Sequence, residues 1–339
     1  MSQQIQRHVS LKKYTTLGVG GETEYFVPVA TPSELEEAVL FARSENLLIA
    51  ILGSGSNVLV DDAGFSGLVI LLESKGISFT LTNDSVLVTA QAGELLDDVV
   101  SYCSTKGWWG IENLSHIPGT IGATPIQNVG AYGVEIKDVI ETVKVFNTQT
   151  HTYEVFKNEM CNFGYRDSFF KTQDGKKYIV TEVTLRLSLI ANPKITYRDL
   201  QQLFANTTPT VQEIREAIIT IRSKKFPNWK EVGTAGSFFK NPTVSIEKYK
   251  ELTVAFPDLP GFKGEDDMVK ISLGWILDKV LFLKGFRSGN VATYTEQALV
   301  LIADSSATAQ EVIAFANSIV AEIKNKIDVS VEWEVTVLK

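Results

Sequence analysis

The chain has 339 residues, 44% of them hydrophobic and 21% charged, and carries a formal net charge of −8. That length exceeds a usual single core and predicts two or three domains, with the composition of an ordinary soluble globular protein. The acidic balance excludes an ordinary nucleic-acid binder, since the basic clusters stop at pairs such as Lys12-Lys13, Lys176-Lys177 and Lys224-Lys225.

In chain order, Thr31-Pro32-Ser33-Glu34 reads as a capping box with proline in the first helical turn. Leu35, Ala38, Val39 and Ala42 give the following helix its apolar face, and the helix should end near Asn46. Residues 47–60, LLIAILGSGSNVLV, read as a buried strand followed by a Gly/Ser turn at 53–57. Strands follow at 67–72 and 85–90. A helix over 95–106 points Leu96, Val99, Val100 and Cys103 inward. Alternation marks strands at 138–147, with Val139, Val143 and Val145, and at 177–189. Thr210 with Glu213 caps a helix whose face is Ile214, Ala217, Ile218 and Ile221. Residues 226–325 shift to aromatic-rich loops, a helix near 273–280, a strand at 299–303 and a last helix. That helix starts at Thr308 with Glu311 and presents Val312, Phe315, Ile319 and Ile323. A terminal strand is predicted over 329–338.

The most informative stretch is 113–134, NLSHIPGTIGATPIQNVGAYGV, which has no Asp, Glu, Lys or Arg. Glycine and proline weaken both helix and strand, so this reads as irregular backbone lying against something bulky. The turn GSGSN at 53–57 follows a strand, yet it fails the Gly-x-Gly-x-x-Gly test at Val58 and lacks the Gly-Lys-Ser/Thr of a P-loop. Its successive amides can form a nest for phosphate oxygens; a plain tight turn is the competing reading. Together, the two uncharged segments can cradle a pyrophosphate through backbone N–H groups.

In GTAGSFFKNP, 233–242, Gly233 and Gly236 flank a small-residue approach to Ser237, and Phe238 and Phe239 are expected to wall off solvent. Ser237 has no nearby Gly-x-Ser-x-Gly elbow and no evident histidine partner, which argues against an esterase nucleophile. Its hydroxyl can instead donate a proton, or simply satisfy a turn. Arg166 in Tyr165-Arg166-Asp167-Ser168 sits in a turn between aromatic strands and can clamp a carboxylate or pair with Asp167. Glu332 and Glu334 share a face of the terminal strand, where one can be a buried functional carboxylate or both can face water. The N-terminus lacks an apolar signal core and no apolar run is long enough to span a bilayer, so membrane insertion is not expected. Cys103 and Cys161 are far apart, and His8, His116 and His151 form no triad or zinc set. A reducing cytoplasm and no metal are the expectations.

The chain resembles the UDP-N-acetylenolpyruvoylglucosamine reductase (MurB) family along nearly its whole length. The matching blocks are TTLGVGG at 15–21, LGSGSN at 52–57, HIPGTIGATPIQNVGAYGVE at 116–135, FGYRDS at 163–168, GTAGSFFKNP at 233–242 and GWILDK at 274–279. ITYRDL at 195–200 and the stretch 256–262 resemble the form of the family with an extra loop and tyrosine that close over the substrate. The resemblance implies an α+β architecture: a two-part FAD-binding fold of the vanillyl-alcohol-oxidase/MurB type plus a separate α+β substrate-binding domain. The implied boundaries are 1–70 and 71–225 for the two FAD subdomains, the second completed by 326–339, and 226–325 for the substrate domain.

The implied activity is NADPH-dependent, FAD-mediated reduction of the enolpyruvyl ether of UDP-N-acetylglucosamine to UDP-N-acetylmuramate, for peptidoglycan synthesis. FAD is held non-covalently, NADPH is a cosubstrate, the UDP-sugar enolpyruvyl ether is the partner, and a monomer is expected. The resemblance makes Ser237 the general acid, Glu334 the catalytic carboxylate and Arg166 the group beside the substrate carboxylate. Tyr165, Tyr197, Lys225, Asn241 and Phe262 match substrate-binding positions. The cofactor-binding positions are Gly53, Ser54, Gly55, Ser56 and Asn57, then Pro118, Gly119, Thr120, Gly122, Ala123, Pro125, Gln127, Asn128, Gly130, Ala131, Tyr132 and Gly133. The sequence departs from the family pattern at Phe262, where tyrosine is usual, at Thr336, where arginine is usual, and at Ser54, where glycine is frequent. The rival readings are another flavin-dependent oxidase or dehydrogenase of the same fold, and a non-catalytic nucleotide-binding protein.

Overall fold

The computed structural model describes residues 5–264 and 267–339. The chain divides into two compact units: Met1–Val9, Thr23–Ser54 and Ser66–Ser223 form the first, and Ser10–Glu22, Gly55–Phe65 and Lys224–Lys339 the second. Residues 326–339, expected from the sequence to complete the second FAD subdomain, cluster with the second unit, where Thr336–Leu338 runs parallel to Val58–Val60.

The first unit contains a four-stranded sheet ordered Gln6–Ser10, Glu22–Val29, Phe65–Leu72, Leu48–Leu52, of which the terminal residues Ser10, Glu22 and Phe65 belong to the second unit. Against it packs helix α1, Pro32–Ser44, whose start has the predicted capping box between Thr31 and Glu34. Such a cap contributes about 1 kcal/mol. Leu35, Ala38, Val39 and Ala42 bury against Val27, Leu68 and Ile70. The strand read as buried, Leu48–Leu52, is an edge strand with Leu48 68% and Ile51 39% exposed. A short apolar run gives no sign of which sheet position it will take.

A five-stranded antiparallel sheet follows, ordered Thr152–Lys157, Ile140–Asn147, Tyr178–Ser188, Ser85–Gln91, Ile77–Leu81. Its inner face (Val86, Val88, Val143, Val183, Leu185) covers helix α2, Leu96–Thr105, through Leu96, Val99, Val100 and Cys103, as the periodicity predicted. The short helix α3 is Arg198–Leu203, and α4 is Val211–Lys225, of which Lys224 and Lys225 belong to the second unit. The α4 stripe of Ile214, Ala217 and Ile218 packs with Trp109, Tyr132 and Leu200.

The second unit contains a four-stranded sheet ordered Gly233–Ser237, Val300–Ala303, Val291–Thr293, Arg287–Ser288, and a three-stranded sheet ordered Thr243–Ser245, Met268–Ile271, Gly261–Lys263. Helices α5, Ile246–Ala255, α6, Leu273–Lys279, and α7, Ala309–Ile327, surround one apolar core. The N-terminus of α7 is capped twice. Thr308 and Glu311 form the predicted capping box, and the Asp62 carboxylate accepts from Ala309 N at 2.8 Å and Gln310 N at 2.9 Å. The terminal strand predicted over 329–338 is regular only at Thr336–Leu338, with one isolated bridge from Trp333 to Phe239. Its alternation survives as burial of Val329 and Val335 in the core.

Candidate functional site

In the first unit the Gly/Ser turn and the uncharged segment meet. A side chain at Gly53 would place its Cβ 2.3 Å from Thr120 Oγ1, so only glycine permits this approach. Beside it, Ser54 Oγ is buried with no hydrogen-bond partner among the described residues. A buried hydroxyl left in this state, next to an uncharged Gly-rich backbone, fits a polar ligand such as a nucleotide cofactor. Two other predicted turn residues, Gly55 and Asn57, do structural work in the second unit. A Cβ on Gly55 would lie 2.1 Å from the Tyr14 carbonyl oxygen, and Asn57 Nδ2 donates to the Glu334 carbonyl at 3.1 Å.

The segment 113–135 is not an open row of donors. Ile121 N donates to Glu94 O, Gly122 N to Ala92 O, Ala123 N to Thr120 O, Thr124 N to Ile121 O, Ile126 N to Ala123 O and Val129 N to Thr124 O. Those amides are therefore committed to the protein itself, which narrows the cradle expected from composition. Asn128 is likewise engaged in the local fold. Its Nδ2 donates to Glu135 Oε2 and Gly164 O, both at 2.9 Å, and its Oδ1 accepts from Lys137 N at 3.2 Å. Five residues of the segment have positive φ: His116, Gly119, Asn128, Tyr132 and Gly133. Three of these are not glycine, so local preference alone does not hold the shape.

The turn 165–168 grips this backbone. Arg166 Nη2 donates to Gly130 O at 2.7 Å and Nη1 to Asn128 O at 3.4 Å, while Ser168 Oγ donates to Ile126 O at 2.6 Å. Arg166 itself has φ +53°, and its guanidinium lies 5.6 Å from the Tyr165 ring centroid. The turn is flanked by 3-10 turns at Asn158–Cys161 and Phe169–Lys171 rather than by the expected strands. The sequence expectation for Arg166 was a carboxylate clamp; the geometry adds an anchoring role toward two carbonyls. Tyr197, expected in a closing loop, precedes α3 and packs edge-on against Tyr132, with ring centroids 4.9 Å apart.

A charged cluster that sequence reasoning missed lies beneath the start of the segment. Arg215 and Asp97 pair in a fork, Nη1–Oδ1 2.6 Å and Nη2–Oδ2 3.1 Å, and Asp97 Oδ1 also accepts from His116 N at 2.6 Å. Burial raises the Asp97 carboxyl, but the Arg215 and His116 bonds outweigh it and hold the group below its usual value. Arg222, 8% exposed, donates Nε to the His116 carbonyl at 3.0 Å and hydrogen-bonds the Tyr132 hydroxyl. The visible signal was on α4, where Arg222 continues the i, i+4 spacing of Ile214 and Ile218 and so falls on the apolar stripe.

In the second unit, Ser237 ends the strand Gly233–Ser237 just after a register shift between Thr234 and Ser237. Such a bulge re-aims the following side chain. Gly236 provides it with φ +73°, and a Cβ there would meet nothing within 4 Å, so space is open beside Ser237. Glu334 N donates to Phe238 O at 2.9 Å and Lys240 N to Glu332 O at 3.0 Å, which sets Glu334 across from the residue after Ser237. The two glutamates differ: Glu332 is 77% exposed and paired with Lys240 Nζ at 2.8 Å, whereas Glu334 is half-buried. Phe238 and Phe239 do not wall off solvent as expected. They are 0% and 1% exposed, edge-to-face with each other, and part of the core. Asn241 Oδ1 accepts from Leu273 N at 3.0 Å and fixes the start of α6. Lys225 ends α4 half-buried, and Phe262 is 58% exposed. Among the described residues, no cluster of three or more His, Cys, Asp or Glu could hold a metal ion, and no helix is long and apolar enough to cross a membrane.

A family model described as an FAD binding domain matches residues 23–155, and one described as the UDP-N-acetylenolpyruvoylglucosamine reductase C-terminal domain matches 227–338. The chain is 38% identical over 338 residues to the UDP-N-acetylenolpyruvoylglucosamine reductase of Pseudomonas aeruginosa, covering 98% of this chain and 99% of that protein. The chain belongs to the UDP-N-acetylenolpyruvoylglucosamine reductase family. The reductase of Porphyromonas gingivalis is 36% identical over 334 residues, with 98% of both chains covered. The crystal structure of the family member from Thermus caldophilus superimposes with a TM-score of 0.68 at 26% identity, covering 99% of this chain and 100% of that one. Family membership accounts for the architecture of an FAD-binding domain plus a separate C-terminal domain.

Proposed function

We propose that the chain is an FAD-dependent reductase that converts the enolpyruvyl ether of UDP-N-acetylglucosamine to UDP-N-acetylmuramate, with NADPH as reductant. The observation that carries this reading is that the reductase-specific C-terminal match, 227–338, contains both Ser237 and Glu334. Reducing the enolpyruvyl double bond needs a hydride at C3 and a proton at C2. FAD, when bound, supplies the hydride chemistry. The turn at 53–57 and the segment 118–133 would hold it, which agrees with the orphaned Ser54 hydroxyl and the Gly53 approach.

Ser237 delivers the proton to C2, with Gly236 leaving room for the reacting carbon. A serine hydroxyl is a poor acid, so its role depends on placement and on a strongly basic acceptor. Arg166, and Glu334 in its protonated form, stabilise the charge that spreads into the substrate carboxylate. Tyr165, Tyr197, Asn241 and Phe262 contribute to substrate binding, and Lys225 meets its phosphates. At Phe262 stacking can survive, but the hydroxyl of the usual tyrosine has no counterpart. The reading places the protein with its nucleotide substrates in the cytoplasm, acting as a monomer in peptidoglycan precursor synthesis.

The test is Ser237→Ala. The protein should remain yellow and be bleached by NADPH, while turnover of the enolpyruvyl substrate falls by roughly 100- to 10,000-fold. Full turnover in this variant would remove Ser237 from the mechanism. A wild-type protein that is colourless and cannot be reconstituted with FAD would overturn the whole reading.

A further inference from the structure

Both ends of the uncharged segment carry left-handed residues with side chains, His116 at φ +58° and Tyr132 at φ +50°. Non-glycine residues adopt this conformation at a cost and need surrounding structure to keep it. One buried side chain reaches both ends. Arg222 Nε donates to the His116 carbonyl at 3.0 Å, and the same guanidinium hydrogen-bonds the Tyr132 hydroxyl. Arg222 is 8% exposed, so these bonds form away from water, where a charged donor is strongest and most costly to leave without an acceptor.

The rest of the cluster reinforces the first end. Asp97 accepts from His116 N at 2.6 Å and is held in turn by the Arg215 fork. The second end is backed by Asn113, whose Nδ2 donates to the Tyr132 carbonyl and to Lys194 O, both at 2.8 Å. Between the two ends the chain makes short-range turns and is gripped by residues 92–96 and 164–168.

We propose that Arg222 is a positioning residue: a clasp that joins the two strained ends of residues 116–132 and sets that segment in the shape that receives the FAD. The proposal rests on the reading above that this segment binds FAD. A planar guanidinium can serve two acceptors in fixed directions, which the point charge of lysine cannot. Arg222→Lys therefore keeps the charge and removes the clasp. Tyr132→Phe releases the second end only, and Asp97→Asn loosens the first.

The test uses the full-length protein, with and without FAD. Amide hydrogen exchange is followed across 116–133, the FAD dissociation constant is measured by flavin fluorescence, and global stability by denaturant. In apoprotein Arg222→Lys, both ends should exchange faster together, while Tyr132→Phe and Asp97→Asn each open one end. FAD binding should weaken at least about tenfold in Arg222→Lys, the loss of one charged hydrogen bond. The double variant Arg222→Lys/Tyr132→Phe should bind FAD no more weakly than Arg222→Lys, since the second bond is already gone. Unchanged exchange and FAD affinity in Arg222→Lys would overturn the clasp, as would a loss of affinity that merely tracks a fall in global stability. The FAD-binding reading itself fails separately, if adding FAD to the wild-type protein leaves the exchange of 116–133 unaltered.

Discussion

The uncharged segment of the first unit and the Ser237 strand of the second are both built for close approach, by opposite means. The segment 116–133 has left-handed turns and little regular pairing, and polar side chains hold it from outside: Arg222 and Ser168, which are buried, and Asp97 and Arg166, which are half-buried. Ser237 stands at the bulged end of a strand paired within a four-stranded sheet. It is fixed by backbone bonds to Leu299 and Glu334 through Phe238, over a core that contains Phe238 itself. The comparison teaches that irregular backbone must be held by directed polar contacts, whereas a strand end can be placed by apolar packing below it. A fault should therefore show as lost local order in the first region and as lost global stability in the second.

The largest effect expected is on the second side. Phe238→Ala removes a fully buried ring that packs on Phe239 and Trp333. It should cost about 3–5 kcal/mol, read as a lower denaturant midpoint. A cost below about 1 kcal/mol would mean that the Ser237 strand does not depend on the core beneath it. Next comes Ser168→Ala, which strips the Ile126 carbonyl of its 2.6 Å donor. The expected cost is about 1–2 kcal/mol, with faster exchange confined to 126–130. A uniform loss across both units would blur the contrast.

The smallest effect is a pH dependence. The carboxyl of Asp97 sits below its unfolded value of 3.8, so its contribution is complete above that value and is lost as pH falls through the folded one. Acid titration from neutrality to about pH 3 should therefore steepen the loss of stability in the wild type relative to Asp97→Asn. Identical acid profiles would show that the Arg215–Asp97 pair contributes nothing to the first region.

Much of the framework was legible. The capping boxes at Thr31/Glu34 and Thr308/Glu311 form as read, because a cap uses residues three apart and needs no distant partner. The inward faces of α1, α2 and α7 likewise follow from helical spacing. Leu48–Leu52 was misread because apolar content does not encode whether a strand becomes an edge. The short terminal strand and the burial of Phe238 and Phe239 share that cause: alternation and aromaticity are visible, but the surface they meet is not. In the candidate site, Gly53, Ser54, Ser237 and Glu334 lie in motif blocks that the sequence displays. Asp97, Arg215, Arg222 and Ser168 do not, since each acts on a segment far away in the chain.

By itself the sequence determined α1, α2, α4, α6 and α7 with the caps at Thr31, Thr210 and Thr308, the family, and the presence of an uncharged glycine-rich segment made for close approach. These are properties of neighbouring residues and of motif order. Tertiary structure alone decided which amides of that segment are committed to residues 92–94. It also decided that Glu334 rather than Glu332 is half-buried, and that a guanidinium on α4 ties His116 to Tyr132. The physical reason is that hydrogen bonds to carbonyls, and the desolvation that strengthens them, depend on which distant backbone arrives, and no local pattern of side chains records that arrival.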